Sequence, residues 1–441
     1  MIVFCVFLVL CYDLVQAQFP RFCVTGAASK SDSCCPLWTD LSPCGLRSGR
    51  GICRDFVPVF NQSGHVPQYN DDRLNWPKYY FTSACECLGN YSGYRCGDCK
   101  YGYFGEKCDR KITIVRKEIR ELSLLERKRF FSYLALAKIT KSQDFVILYT
   151  GDRHHKDTYR FVDASIYDVF SWIHYYSTKP ILKNGTFDDS TNYAHQGPAF
   201  PGWHRLGLLF LERQIQLMTG DENFALPYWD WRGEQNCSIC TNDFLGDNDE
   251  QGFLSQYSYF AFWKSICSGY NYDDSYCLAA DDFNQLEKLH RKPGANPHAR
   301  SLPTVQEVED TLNLEHFDRF PYNRYAQHSF RNALEGFLNA SDGEFQTTMH
   351  NLVHNFFGGT MGEVPISSND PIFLLHHCFI DKIYEKWLQK YNATPDVYPK
   401  NDQPGQGPDE CATPYFPCYT NKYFLHWSDK FGYDYSIYKG M

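Results

Sequence analysis

Residues 369–387 read NDPIFLLHHCFIDKIYEKW, an apolar run that carries two consecutive histidines. Asp370 suits a helix N-cap and Pro371 suits the first helical position, so a helix is predicted to begin here and to extend to about Lys390. Side chains on the apolar face of such a helix point into the protein. An imidazole in this run is therefore a candidate metal ligand, and His377 is taken as such a candidate.

The preceding stretch, TTMHNLVHNFF at 347–357, predicts a helix over Phe345–Phe356. His350 and His354 stand four residues apart in it, so both side chains project from one face. Such a pair can hold a single metal ion, and His377 in the next helix can complete a set of three.

An earlier part of the chain carries a second set of three histidines. IYDVFSWIHYY at 166–176 contains His174, and NYAHQGPAFPGWHRLGLLFLE at 192–212 contains His195 and His204. A lone histidine on an apolar face is usually a hydrogen-bonded core residue. Six in two clusters favour two metal ions, each with three imidazole ligands and an open coordination position. Neutral imidazole suits copper, zinc, iron or nickel.

The histidine stretches predict a mainly α-helical catalytic domain. Further helices are predicted at about 163–178, at Trp203–Leu217 and, behind a capping box, at Arg127–Ile139. Four helices would direct histidines inward, as in metal-binding four-helix bundles, with loop-rich insertions between them. Residues 141–160 are predicted to be a loop.

Charge and hydropathy restrict the partners. The 441 residues carry a formal net charge of −9 and no basic block, which argues against a nucleic-acid partner. Residues 1–17 form an apolar run of signal-peptide length and are predicted to be cleaved. No later apolar run is long enough to span a bilayer, so no transmembrane anchor is expected in this chain.

Cysteine usage indicates an oxidising compartment and hence the secretory pathway. Ten of the 19 cysteines lie within 23–108, so residues 18–110 are predicted to be a disulfide-rich, EGF-like module, followed by the catalytic domain at 111–441. A zinc site at Cys96 and Cys99 is the alternative. Further local disulfides are predicted between Cys237 and Cys240, Cys267 and Cys277, and Cys411 and Cys418. Sequons that fit a secretory route are Asn61, Asn90, Asn184, Asn236, Asn339 and Asn392.

Several long motifs resemble those of the type 3 copper family, and in particular the vertebrate-type tyrosinases. They are IHYY, AHQGPAF, WHR, MTGDENF, PYWDWR, MHNLVH and NDPIFLLHH, and the resemblance covers about 19–438. It implies two copper ions, with dioxygen as co-substrate and small phenols as substrates. L-tyrosine would be converted to L-DOPA, and L-DOPA to an o-quinone, which initiates melanin synthesis. The implied ligands are His174, His195 and His204 for the first copper, and His350, His354 and His377 for the second.

The resemblance implies roles for residues around the two ions. In this family a glutamate and an asparagine hold a water that takes the phenol proton, and they match Glu335 and Asn369. Each could instead be structural, the first in an ion pair and the second in a turn. Phe337 matches an aromatic side chain that overhangs one copper, and Ser367 matches a position near the substrate mouth. Asp381 could orient a ligand imidazole or could be a surface charge.

Two other functions are alternatives. The tyrosinase-related proteins are similar to this chain but hold zinc, and one of them is a dopachrome tautomerase. A dicopper protein that binds dioxygen without turnover is the other alternative. Three positions favour the oxidase: Trp-Asp-Trp at 229–231 where the related proteins have Trp-Asn-Phe, Phe337 where they have Tyr, and His376 where they have Leu.

The chain also departs from the family pattern. Tyr193 stands where fungal and molluscan relatives have a thioether-forming cysteine, so no such crosslink is expected. Cys378 follows the ligand His377 and is the candidate for the unpaired cysteine. The resemblance implies the melanosome lumen. An extracellular location is the alternative, because the carboxy-terminal membrane helix of melanosomal relatives is not found here.

Overall fold

The computed structural model describes most of the chain. The described residues are 19–24, 32–56, 71–74, 76–151, 158–183, 186–188, 192–267, 277, 286–339 and 345–437. The predicted signal peptide at 1–17 and the sequons at Asn61 and Asn184 lie outside this set. Within it, no helix is long and apolar enough to cross a membrane.

Helices build the centre of the molecule and short strands lie around them. The α-helices are α1 (Arg21–Val24), α2 (Leu124–Ile139), α3 (Ile166–Thr178), α4 (Phe200–Thr219), α5 (Val305–Leu312), α6 (Phe330–Glu335), α7 (Met349–Phe357), α8 (Gly359–Gly362) and α9 (Ile372–Lys390). The strands are β1 (Phe19–Pro20), β2 (Ser33–Cys34), β3 (Gly51–Asp55), β4 (Ser83–Cys87), β5 (Tyr91–Ser92), β6 (Asp98–Cys99), β7 (Tyr103–Phe104), β8 (Arg110–Lys111), β9 (Ile114–Arg116), β10 (Lys141–Thr150), β11 (Arg160–Ser165), β12 (Ile181–Lys183), β13 (Thr186–Asp188), β14 (Phe337–Asn339), β15 (Phe345–Thr347) and β16 (Tyr433–Tyr435).

The amino-terminal part is rich in disulfides, as predicted. β2, β4 and β3 form a small sheet in that order. The disulfides here join Cys23 to Cys34, Cys35 to Cys53, Cys44 to Cys85, Cys87 to Cys96 and Cys99 to Cys108. Because Cys96 and Cys99 belong to two different disulfides, the alternative of a zinc site at this pair is wrong.

The cysteines of the later chain also follow the prediction. The three local disulfides at 237–240, 267–277 and 411–418 are all formed. Cys378 is buried and is the free cysteine of the described residues. Burial raises the pKa of its thiol, so this side chain stays protonated and is a poor metal ligand.

The predicted helices are present, with shifted ends. α2 begins with the predicted capping box, in which Ser123 and Glu126 each accept a hydrogen bond from the other's backbone N–H. α9 has Pro371 rather than Asp370 as its N-cap residue and ends at Lys390. The Asp370 carboxylate nevertheless accepts a hydrogen bond from the Ile372 N–H at 2.9 Å, as an N-cap side chain does, and it also pairs with the buried guanidinium of Arg291.

Two predictions of secondary structure are wrong. Residues 141–150 form β10, paired antiparallel with β11, instead of a loop. Residues 345–347 form β15, paired with β14, so α7 begins at Met349. In both places a strand partner elsewhere in the chain, which local patterning does not reveal, satisfies the backbone.

A buried ion cluster ties α4 and α9 together. The Asp381 carboxylate accepts hydrogen bonds from Arg205 at 2.6 Å and from Arg116 at 3.3 Å. Its second oxygen also accepts from the hydroxyls of Tyr433 and Tyr435. These four donors occupy the carboxylate, so neither predicted role for Asp381 holds: it does not orient a ligand imidazole and it is not a surface charge.

Candidate metal centre

The first histidine set comes from two helices and the loop between them. His174 lies on α3, which is buried along its whole length, and His204 lies in the first turns of α4. His195 lies on the irregular segment that precedes α4. The ligand-capable nitrogens of these three side chains all lie within 4.8 Å of one another, and all three residues are buried. The predicted first set is therefore brought together.

The second set comes from α7 and α9. His350 and His354 project from one face of α7, and their ring centroids are 4.5 Å apart. His377 approaches from α9, with its ring centroid 4.9 Å from that of His350. His376 joins this group, so four imidazoles instead of three lie within 4.8 Å of one another.

The two sets face each other across a short gap. The rings of His204 and His377 are stacked with centroids 4.4 Å apart. The ring centroids of His195 and His350 are 6.2 Å apart. Phe373 packs on both sets, since its ring lies 3.9 Å from that of His377 and 5.0 Å from that of His174. Ions held by these sets would be close enough to share a bridging ligand, as in two-metal sites.

Hydrogen bonds fix which nitrogen of several rings is available. The Nδ1–H groups of His204 and His354 donate to the carbonyls of Phe200 at 2.8 Å and Met361 at 2.7 Å. His350 Nδ1 lies 3.2 Å from the Glu335 carbonyl. With Nδ1 protonated, the neutral ring presents the Nε2 lone pair, and outer partners of this kind orient metal-ligating histidines.

The free nitrogens fit a bound ion. In the described part of the chain, the Nε2 atoms of His204 and His350 are buried and make no hydrogen bond. His354 Nε2 and His377 Nε2 lie 3.4 Å apart. Two imidazoles on one ion at about 2.0–2.1 Å, in tetrahedral geometry, place their nitrogens about 3.4 Å apart. The residues present therefore fit a transition metal such as copper or zinc.

Burial keeps these imidazoles uncharged. It lowers the pKa of all six predicted ligands, to about 3 for His204 and to about 4 for the half-buried His354. Neighbouring histidines add to the effect, because one charged ring would repel the next. Neutral imidazole is the form that binds metal, so the histidines of the metal-free protein are already in the protonation state that metal binding requires.

His376 differs from its neighbours in the nitrogen that is engaged. The Trp231 indole N–H donates to His376 Nδ1 at 3.1 Å. A neutral ring that accepts at Nδ1 carries its proton on Nε2, and a protonated nitrogen cannot ligate. His376 Nε2 is buried without a hydrogen-bond partner among the described residues, like those of His204 and His350, but the Trp231 bond gives it the proton. We therefore expect it to face the second ion as a donor and to leave three ligands for that ion.

A cavity of about 270 Å³ opens onto both sets. His195, His350 and His354 line its floor, and Glu335, Phe337 and Ser367 line its walls. The structure thus brings three of the predicted outer residues together at one opening. Val364, half-exposed, lies at the rim.

Asn369 does not join this group. Its Oδ1 accepts from the Ile266 N–H at 2.9 Å, and its Nδ2 donates to the carbonyls of Ile266 at 3.1 Å and Ile366 at 3.0 Å. Every hydrogen of the amide is used, and Asn369 does not line the cavity. The water-holding role predicted for Asn369 is therefore corrected, and its alternative reading as a turn residue fits.

Asn351 was missed by the sequence analysis. It lines the cavity with Glu335, and its Oδ1 lies 2.9 Å from His350 Nδ1. When that oxygen accepts from His350, the amide N–H₂ group can point toward the cavity. The available signal was its position directly after a ligand histidine, in MHN.

Among the described residues that line the cavity, Glu335 is the one acidic side chain. It ends α6, and its Oε1 accepts from the Gln196 backbone N–H at 2.6 Å. Its Oε2 accepts from Arg331 at 3.2 Å. Burial raises the pKa of the carboxyl to about 7, although Arg331 and the Gln196 N–H lower it. A carboxyl with this pKa can exchange a proton near neutral pH.

The sequence matches one family model over the whole of this region. The common central domain of tyrosinase matches residues 164–390. Tyrosinase of Bos taurus is 41% identical over 439 residues, which is 95% of this chain and 82% of that protein. The 5,6-dihydroxyindole-2-carboxylic acid oxidase of Gallus gallus is 36% identical over 449 residues, which is 96% of this chain and 83% of that protein.

A solved structure shares the fold. Polyphenol oxidase from Thermothelomyces thermophila superimposes with a TM-score of 0.50 and 16% sequence identity, covering 74% of this chain and 89% of that chain. At this identity the likeness concerns the fold alone.

The engaged nitrogens of His376 and His354 lead to opposite expectations for metal content. His376→Gln should retain two ions per chain, because its Nε2 is not a ligand. His354→Ala should retain one ion, because the second set loses a ligand. Metal per protein after dialysis measures both. Equal losses in the two variants would contradict the assignment of three ligands.

The lowered pKa of His354 predicts a pH dependence of folding. In the unfolded chain its pKa is about 6.5, whereas in the folded protein it is about 4. Between about pH 6 and about pH 4.5 the unfolded state thus binds one more proton, and this histidine reduces stability by about 1.4 kcal/mol per pH unit as pH falls.

Metal-free His354→Ala should therefore lose stability less steeply with acid than metal-free wild type, by that slope. Denaturant unfolding at several pH values, without metal, measures the difference. Parallel curves for the two proteins would show that His354 is not held neutral.

Proposed function

The chain belongs to the tyrosinase family of copper oxidoreductases, and we propose that it oxidises small monophenols such as L-tyrosine to catechols, and catechols such as L-DOPA to o-quinones, with dioxygen as co-substrate. The observation that carries this proposal is the pair of facing histidine groups beside one cavity, which His195, His350 and His354 line. Held there, two copper ions would supply the redox chemistry that activates dioxygen for oxygen insertion into a phenol ring. The ligands proposed are His174, His195 and His204 for the first ion, and His350, His354 and His377 for the second.

The chain's own residues must remove the phenol proton. A free phenol has a pKa near 10, so it is neutral at the pH of most compartments. Glu335 is the carboxylate on the cavity wall, and its pKa of about 7 suits a base that works near neutrality. We assign it that role, directly or through one water. Catechol oxidation also releases two phenolic protons, but it inserts no oxygen into the ring, so it is expected to depend less on Glu335.

Asn351 and Phe337 complete the wall on which a phenol would lie. The Asn351 amide, oriented by His350, can donate to a water or to the substrate oxygen beside Glu335. Phe337 provides an aromatic surface for a substrate ring. Ser367 donates its hydroxyl to the Val364 carbonyl at 3.2 Å, so its contribution is to shape the mouth.

His376 supports the oxidase over the zinc-containing alternative. The Trp231–His376 hydrogen bond uses the two positions at which the tyrosinase-related proteins were expected to have Phe and Leu. Neither of those side chains could form this bond. No feature of the described residues favours a dioxygen carrier without turnover, since the cavity contains a group able to act as a base.

The remaining assignments concern organisation and location. We propose an EGF-like module over 18–110 and a catalytic domain over 111–441, in which α3, α4, α7 and α9 act as a four-helix bundle around the metal ions. The eight disulfides of the described residues favour the secretory pathway. The melanosome lumen is the proposed site of action, with an extracellular location as the alternative.

Turnover tests the function directly. Protein loaded with two copper ions should convert L-tyrosine and L-DOPA to coloured quinone products, whereas zinc-loaded protein should convert neither, because zinc has no redox chemistry. Absorbance of the products measures both. A fully copper-loaded protein that oxidises neither substrate would refute the proposal, and zinc without copper in protein from its own secretory pathway would favour the alternative.

The base assignment predicts a difference between the two substrates. Glu335→Gln should lower tyrosine hydroxylation about 100-fold or more and DOPA oxidation less, because both steps release phenolic protons but only hydroxylation needs the phenolate before oxygen enters the ring. The wild-type hydroxylation rate should fall as pH falls far enough to protonate Glu335, and two copper ions nearby should place that pH below the metal-free pKa of about 7.

Asn369→Ala is the matched control, because its amide bonds only to backbone groups. It should change stability but leave the ratio of the two rates unchanged, while Asn351→Ala should lower the ratio. Equal losses of both rates in Glu335→Gln would contradict the role of this carboxylate.

A further inference from the structure

The segment that carries His195 has no regular structure of its own. Residues 192–199 run between β13 and α4 without helix or strand. Asn192 Oδ1 accepts from the N–H groups of Ala194 at 3.0 Å and His195 at 2.8 Å, which fixes a tight turn. A metal ligand on such a turn needs support from other parts of the chain, because backbone freedom would otherwise spread its positions.

One support comes from the carboxy-terminal region. The buried Gln406 side chain donates to the carbonyls of Asn192 at 2.5 Å and His195 at 3.2 Å, and accepts from the Ala199 N–H at 2.7 Å. This side chain therefore bridges the two ends of the turn.

The second support comes from the disulfide-rich part of the chain, through Arg73. This guanidinium is buried, and each of its five N–H groups has an acceptor. Nε and one Nη donate to the Asp71 carboxylate at 2.7 and 2.5 Å. The remaining donors reach carbonyls at the carboxyl end of α3, those of Tyr176 at 2.8 Å, Lys179 at 2.8 Å and Pro180 at 2.9 Å.

The face of the same guanidinium lies over Tyr193. The Arg73 Cζ atom is 4.7 Å from the ring centroid of Tyr193, two residues before His195. The Cδ1–Cε1 edge of the ring packs against Gly405, where an added Cβ would lie 2.2 Å from Cδ1. The Tyr193 N–H donates to the Ser177 carbonyl on α3 at 3.2 Å. The phenol hydroxyl is buried and makes no hydrogen bond with the described residues. The interaction with Arg73 is therefore made by the ring face.

From these contacts we infer that Arg73 and Tyr193 are positioning residues for the first metal ion. Arg73 closes the carboxyl end of α3, one turn beyond His174, and covers the ring of Tyr193, whose edge packs against Gly405. The guanidinium of Arg73, which lies outside the catalytic domain, thereby positions the two segments that carry His174 and His195, two ligands of one ion. The disulfide-rich part of the chain thus helps to build the metal site. This inference rests on the metal centre proposed above.

Zinc binding tests the inference without enzyme activity. Metal-free protein is titrated with zinc against a competing chelator, which gives one affinity for each ion. Tyr193→Ala should weaken one step about 10- to 100-fold, the usual cost of losing an outer partner of a metal ligand, and leave the other step unchanged. Tyr193→Phe keeps the ring face and should retain both wild-type affinities. In the His354→Ala background, which removes the second site, Tyr193→Ala should weaken the single remaining step.

A second variant addresses Arg73 itself. Arg73→Lys keeps the charge but cannot supply five donors or a planar face, so it should also weaken one step only. Arg54→Lys is the control, since Arg54 lies in the same disulfide-rich part and pairs with Glu86 at the surface. It should bind as wild type.

The ratio of the two affinities separates positioning from general support of the fold, because a general loss of structure weakens both steps together. Two unchanged steps in Tyr193→Ala, or two steps weakened together, would overturn the inference. Wild-type protein that binds fewer than two zinc ions would instead refute the metal centre on which it rests.

Discussion

The structure depends on keeping a group of imidazoles uncharged and desolvated in one place. A buried polar nitrogen without a partner costs free energy, and a buried charged ring costs more. Backbone carbonyls provide hydrogen-bond partners for these nitrogens. The carbonyls of Phe200, Glu335 and Met361 each lie within hydrogen-bond distance of the Nδ1 of a histidine. These contacts leave Nε2 lone pairs directed at a common centre. A metal ion satisfies them, so ion binding and completion of the core are the same event.

The buried carboxylates around the histidines fall into two groups, one between the helices and one at the cavity. Arginine–carboxylate groups around Asp381 lie between α4 and α9, with their oxygens fully engaged, and hold the two helices that carry His204 and His377. The cavity, by contrast, has one acidic wall residue, Glu335, whose carboxyl is shared between Arg331 and a backbone N–H. A base that is only partly stabilised as an anion keeps a pKa near neutrality, which a fully paired carboxylate such as Asp381 does not.

The sequence predicted which histidines lie together because their spacing is local. The four-residue separation of His350 and His354 sets a helix face, and the capping box at Ser123 sets a helix start, whatever the rest of the chain does. Other features depend on partners far away in the chain. The Asn369 amide is hydrogen-bonded to the backbone of Ile266, about 100 residues earlier in the chain. The role of Asn369 could therefore not be inferred from its neighbours in sequence. β10 was missed because its partner strand lies beyond a connecting segment.

The central claim is that two ions share this site, each with three imidazoles. Anomalous scattering at the copper edge, from crystals of copper-loaded protein, tests it most directly. Two peaks about 3.5–4 Å apart are expected, one among His174, His195 and His204 and the other among His350, His354 and His377, with His376 bonded to Trp231 and not to metal. A single peak, or a copper ion bonded to His376, would contradict it.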